Sequence, residues 1–279
     1  MHEGSRALTW ELYLFFQKKF LGLGTKEGIM AAAYSAVTMN LACRGDSTGM
    51  ICTHHLQWHG DSTAISFSHS KEEQLGDDPT KRLPRHCYCN PLLPEADFSS
   101  NLFNYLAMYP HVLARPNGLL FPFMDSAGMF TEQIKKLCTL YKEEIERDFG
   151  FNIKDIGIHS WRKCAHTKMN CGSTVGPTNA ATCIRGGHSI GSTRSVYVVQ
   201  EQASDEICGR ILAGLPEHDA RFAASNADFI PIDREQVSAI CPHSSLKIFV
   251  EFVPSLLGRS ESYRRRGFSR ELRSSKGTG

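Results

Sequence analysis

Apolar positions along the chain change period, and the changes outline the elements. Residues 7–21 carry apolar side chains at mixed helical spacing and predict a helix that Gly22 and Gly24 end. Thr25 stands where a cap belongs for a second helix, which continues through the Ala-rich run at 31–36 to about Cys43. Alanine favours helix and permits close packing. Arg44-Gly45-Asp46-Ser47 breaks that pattern. Ile51 to Trp58, a turn at Gly60-Asp61 and the alternation from Thr63 to Ser70 then predict a β-hairpin. A polar loop from Glu72 to Arg82 follows, and Arg85 to Cys89 adds a third short strand. Pro91, Pro94 and Pro110 punctuate a short helix over 98–108.

Helical spacing dominates downstream. Ile134, Leu137, Tyr141 and Ile145 share one face of a predicted helix over 131–148, with Lys and Glu on the other. Another helix begins near Ser160 and is interrupted by Gly172. Pro177 suits the start of the next, which ends at Gly186-Gly187. A short helix carrying Tyr197 and another over 200–213, stopped by Gly214 and Pro216, complete the regular part. Leu246 to Leu257 is the one later apolar stretch, and the polar end from Gly258 reads as disordered.

Composition narrows the class. The chain has 279 residues and an apolar share of 41%, ample for a packed core. Its formal charge of +2 does not by itself indicate a nucleic-acid partner, but the stretch from Arg259 to Lys276 is rich in arginine. Ten scattered cysteines show no paired framework and read as reduced, mostly buried residues of an intracellular protein. Glu11, Gln17, Lys18 and Lys19 break the opening apolar run, so it is neither signal peptide nor membrane span. Cys52, His54, His55 and His59, followed by His86, Cys87 and Cys89, invite a zinc proposal. Their spacings do not match the usual ligand pairs, and strand alternation would split them between two faces, so no metal is expected.

Four groups between His159 and Tyr197 suit work on a phosphodiester: His159 and Arg162 as H-x-x-R, His188 in Gly-Gly-His-Ser, and Tyr197. Arginine is a planar, permanently charged fork for phosphate oxygens. Histidine donates to phosphate or moves a proton near neutral pH. A tyrosine hydroxyl is a nucleophile only beside groups that stabilise the phenolate and the developing charge. The competing reading makes His159 and Arg162 helix-capping residues and Tyr197 a half-buried core aromatic. Trp58 and Trp161 read as packing residues rather than base-stacking platforms.

This ordered set resembles the catalytic boxes of tyrosine recombinases. The flanking text HSWRK, GSTVGP, IRGGHSIG, VYVVQE and CGRILAGLP is most similar to Crypton-type recombinases of eukaryotic mobile elements. The resemblance implies two upstream residues, an arginine after a helix and a lysine in the turn after a hairpin. Arg44 and Lys71 occupy those places. Two positions depart from the pattern: the glutamate common three residues after the first arginine is Ser47, and the histidine common after the second is Lys163. The region 72–130 must also hold an insertion relative to bacterial members.

The resemblance implies a mainly α-helical catalytic domain with a small antiparallel β-sheet over 1–212, lacking the family's N-terminal DNA clamp, and a C-terminal extension over 213–279. It implies cleavage and rejoining of double-stranded DNA with self-association on DNA, and no membrane, metal or cofactor. In that scheme Tyr197 attacks phosphorus, leaving a 3′-phosphotyrosine. Arg44 and Arg162 clamp the non-bridging oxygens, and His188 donates. Lys71 is the general acid and His159 assists proton movement. Lys163, Arg264, Arg265 and Arg266 are candidate DNA phosphate contacts, the last three also a nuclear-localisation patch. A nucleus is implied for a eukaryotic source and a cytoplasm for a prokaryotic one. The alternative is a domesticated or truncated, non-catalytic DNA-binding protein that keeps the fold.

Overall fold

The computed structural model describes residues 5–59, 62–66, 84–90, 92–115, 117–123, 125–172, 176–188 and 202–215. Over these residues the chain is mainly helical with a small three-stranded antiparallel sheet, as the apolar pattern predicts. Two expected elements, the helix bearing Tyr197 and the apolar stretch over 246–257, lie outside the described residues, as does the chain from Pro216 on.

Helix α1 (Trp10–Gly22) starts where the Thr9 hydroxyl accepts the Leu12 amide at 3.2 Å. It buries Leu12, Tyr13, Phe16 and Phe20 along one face and leaves Lys18 exposed on the other. Helix α2 (Lys26–Leu41) is capped by Thr25 in the same way, and every residue from Met30 to Leu41 is buried. A helix apolar all round is a core helix, and α1 packs on this one. It ends at Ala42 in the left-handed region (φ 50°), a conformation that turns the chain sharply at a small cost in strain. Arg44-Gly45-Asp46-Ser47 was expected only to break the helical pattern. Instead a short helix α3 (Gly45–Gly49) follows at once, with Arg44 at its N-cap position and no side-chain capping bond.

The first strand is shorter than its alternation suggests, and residues 67–70 of the expected second strand lie outside the described residues. Strands β1 (Leu56–His59), β2 (Ser62–Ile65) and β3 (Arg85–Tyr88) pair in that order, with Ile65 opposite Arg85. Residues 53–55 form a 3₁₀ turn rather than strand, because Cys52 and His55 cap each other reciprocally: the Cys52 amide donates to His55 Nδ1 at 3.1 Å. Helix α4 (Phe98–Met108) matches its expected span, started by an Asp97 cap, and lies along α2.

The expected helix over 131–148 is two helices. α5 (Ser126–Leu140) begins earlier on an Asp125 cap, and α6 (Lys142–Phe149) follows after Tyr141 leaves helical geometry. That break lets Tyr141 and Phe149 both pack on Phe15, with ring centroids 5.8 and 5.2 Å away. Helix α7 (Ile158–Cys171) ends at Gly172 as expected. Its buried stripe of Trp161, Cys164, Ala165 and Met169 faces the core. Trp161 is fully buried against Phe16 and Phe130, and its indole N–H donates to Ser35 Oγ at 2.6 Å. Helix α8 (Asn179–Arg185), capped by Thr178, and helix α9 (Gln202–Leu212) close the described core. Among the described residues no helix is long and apolar enough to cross a membrane.

Candidate functional site

Because α7 commits Trp161 and its neighbours to the core, His159, Arg162, Lys163, His166 and Thr167 fall on the face turned away from it. These five, with Arg44, His188 and Ala7, line a groove of about 550 Å³. Arg44 reaches it through a close contact between distant segments. A Cβ on Gly45 would lie 2.2 Å from Ile158 Cδ1, so the start of α3 sits directly on the start of α7. The Gly45 carbonyl is held there by Tyr34 Oη at 2.6 Å.

Arg162 centres the groove. Its Nη2 donates to the Gly186 carbonyl at 2.5 Å and lies 3.1 Å from His188 Nε2. A guanidinium only donates, so His188 accepts through Nε2 and carries its proton on Nδ1 in this arrangement. Burial pushes the Arg162 pKa below its ordinary value, and the neighbouring Arg44 adds to that, yet a guanidinium keeps its charge near neutral pH. His159 is exposed in the first turn of α7. Lys163 lines the groove and donates to the Ser5 carbonyl, which ties the N-terminal segment to its rim.

The two glycines ahead of His188 do more than stop a helix. Gly187 has φ 66°, the left-handed region, and a Cβ on Gly186 would fall 2.1 Å from His166 Cε1. Residue 186 therefore has no room for a side chain while His166 holds its place. The His166 and His188 rings lie 4.9 Å apart. Burial pushes the His166 pKa down to about 4, helped by His188, Arg162 and Arg85, so this half-buried imidazole is neutral at pH 7.

The structure thus brings together Arg44, His159, Arg162, Lys163 and His188. Lys71, Tyr197, Arg264, Arg265 and Arg266 lie outside the described residues. The connection that carries Lys71 departs after β2 and returns before β3. It therefore springs from the end of the sheet where Ile65 pairs with Arg85. Arg85 does not line the groove, but its buried charge acts on His166 and was not anticipated. Its Nη1 donates to the Leu41 carbonyl at 3.0 Å, and burial is the largest cause holding its pKa near 10. His166 was also missed, although its place one helical turn after Arg162 was a readable signal.

Strand alternation does not separate the expected zinc-type residues: 53–55 form a turn, and ligand-type atoms of Cys52, His54 and His55 lie within 4.8 Å of one another. The reciprocal cap accounts for two of the three. Accepting through Nδ1 also leaves the His55 Nε2 protonated, a poor state for a metal ligand. His86 is instead 3.1 Å from Asp205 Oδ2, and Cys89 Sγ contacts Ser99 Oγ. Comparison of the chain with protein-family models, curated proteins and solved structures returns no match.

Proposed function

We propose that this groove binds and activates a DNA phosphodiester, and that Tyr197 attacks it to give a 3′-phosphotyrosine, as in the tyrosine recombinases the sequence resembles. The observation that carries the reading is the convergence of Arg44, His159, Arg162 and His188 on one groove from three separate parts of the chain. Two arginines and an imidazole placed in advance of the reaction stabilise charge growing on phosphate oxygens, usually the largest single contribution to catalysis. Chemically, the Tyr197 hydroxyl loses its proton, which the resemblance gives His159 to move, as its oxygen bonds to phosphorus and the 5′-oxygen departs. That oxygen takes a proton from a general acid, which the resemblance assigns to Lys71. The phosphotyrosine retains the bond energy, so another 5′-hydroxyl can reverse the step and join new strands. On this reading the nucleus of a eukaryotic cell is the working compartment, and several copies assemble on DNA.

A library of nicked duplexes of randomised sequence tests this directly. Each duplex should lose a short 5′-hydroxyl fragment on cleavage, so the covalent intermediate accumulates. The wild-type chain should yield an adduct stable to detergent and heat, and Tyr197→Phe should bind the same library without yielding one. An adduct persisting in Tyr197→Phe would assign the wrong nucleophile. Binding with no adduct from the wild type would favour a DNA-binding protein that keeps the recombinase residues without the activity.

A further inference from the structure

One buried ion pair ties both ends of the segment that separates His188 from α9. Arg185 ends α8, immediately before Gly186-Gly187-His188, and Asp205 sits in the first turn of α9. Both side chains are fully buried, and Arg185 Nη1 lies 2.7 Å from Asp205 Oδ1. The same Nη1 donates to the Asp205 carbonyl at 3.0 Å. Nη2 donates to the carbonyls of Asn40 at 2.7 Å and His86 at 2.9 Å. Asp205 Oδ2 in turn accepts the His86 amide at 2.7 Å. One guanidinium fork therefore joins four places. They are the end of α2 just before Arg44, the strand that starts at Arg85, the turn that carries His188, and the start of α9.

Burial opposes both charges, and each is held ionised by its partner: the Asp205 pKa stays below its ordinary value and that of Arg185 above. A pair this dry is weak evidence for stability in itself, since apolar residues of similar volume are often as stable. Its distinguishing property is geometry. A planar fork fixes direction as well as distance, which a greasy contact does not.

We propose that Arg185 and Asp205 are positioning residues, whose pair fixes the two ends of the segment bearing Tyr197 relative to Arg44, Arg162 and His188. The catalytic part of this inference rests on the proposed phosphodiester chemistry, whereas the anchoring part does not.

Two variants separate positioning from mere stability. Arg185→Met combined with Asp205→Leu removes both charges at similar volume, so no buried charge is stranded. Arg185→Lys keeps a charge opposite Asp205 but cannot span the Asn40 and His86 carbonyls together. Hydrogen exchange followed by mass spectrometry should show peptides from 186–204 exchanging at least about tenfold faster in both variants, with α1 and α2 unchanged. Affinity for a mixed-sequence duplex should stay within about threefold, while adduct formation on the nicked library slows by about a hundredfold.

Unchanged exchange in 186–204, exchange raised evenly over the whole chain, or an unaltered adduct rate would each overturn the assignment. If the double variant does not fold, Arg185→Lys carries the same comparison. If the wild type forms no adduct, the phosphodiester reading fails by itself, and localised exchange alone decides the anchoring role.

Discussion

At the scale of single residues the groove is built by crowding. Gly186 accommodates His166 only because it lacks a Cβ, with ring atoms 2.1 and 2.4 Å from where one would stand. Gly186→Ala should push the His166 ring aside and disturb the Gly186 carbonyl bond to Arg162, at a cost of about 1–3 kcal/mol. Combining it with His166→Ser should recover part of that, a coupling on the order of 1 kcal/mol in a urea-unfolding double-mutant cycle. Strict additivity would show that residue 166 does not limit residue 186. His166 also gives a pH signature. Its pKa is 6.5 in the ordinary state and about 4 when folded, so between those values the unfolded chain binds more protons. Stability present above pH 6.5 should be lost as pH falls toward 4. The loss should be on the order of 2 kcal/mol once the half-exposed ring is discounted for solvent screening. His166→Gln should flatten that part of the stability–pH curve; an equal slope in both proteins would sink the assignment. The types and order of His159, Arg162 and His188 were legible in the sequence because they are closely grouped and ordered, whereas Arg44 was reached only through the family resemblance. The burial of Arg85 was not legible, since a side chain drawn in by tertiary packing looks like any other surface residue on paper. The position of His166 one turn after Arg162 was readable, while its fit against Gly186 was not.

At the scale of elements, local chemistry was readable where a cap and a breaker agreed, and unreadable where packing overrode periodicity. The prolines at 91, 94 and 110 frame α4, and Thr25 starts α2. The apolar stripe through Ile134, Leu137, Tyr141 and Ile145 crosses the α5–α6 break without interruption, so nothing local announces it. The hairpin was overextended for a related reason: 51–55 has strand-like side chains, but the Cys52–His55 cap takes those backbone groups into a turn. Helix α7 shows how an element aims a site. Trp161 is locked by Phe16, Phe130 and Ser35, and that lock sets the rotation at which Arg162, the next residue, meets the groove. Trp161→Ala should destabilise by about 3–5 kcal/mol through the cavity it leaves. Trp161→Phe should cost less in packing but leave Ser35 Oγ without its donor, about 1–3 kcal/mol. Adding Ser35→Ala to Trp161→Phe should then restore part of the loss, read as a higher melting temperature than for Trp161→Phe alone. A further drop would mean that Ser35 has a role the indole does not explain.

At the scale of the whole molecule, the convergence of Arg44 with Arg162 depends on a contact that no spacing encodes, the seating of Gly45 on Ile158. Only the family resemblance pointed to that pairing before the structure placed both residues at one groove. The nearly balanced net charge of +2 is likewise uninformative, because affinity for DNA follows the cations that face phosphates rather than the sum over the chain. The described groove offers Arg44, Arg162 and Lys163. If these three alone neutralise phosphates, the logarithm of duplex affinity should fall with the logarithm of salt at a slope of about −2.7, since each contact contributes about −0.9. Engagement of Arg264, Arg265 and Arg266 would steepen it to about −5.4. Measuring the full chain beside a chain ended at residue 257 separates the two contributions. The truncated protein should keep the shallower slope, and Arg162→Ala within it should lose roughly one further contact, about 0.9. Equal slopes for the long and short chains would remove the arginine tail from the interface. A flat dependence for the full chain would remove DNA from the list of its partners, and with it the phosphodiester reading of the groove.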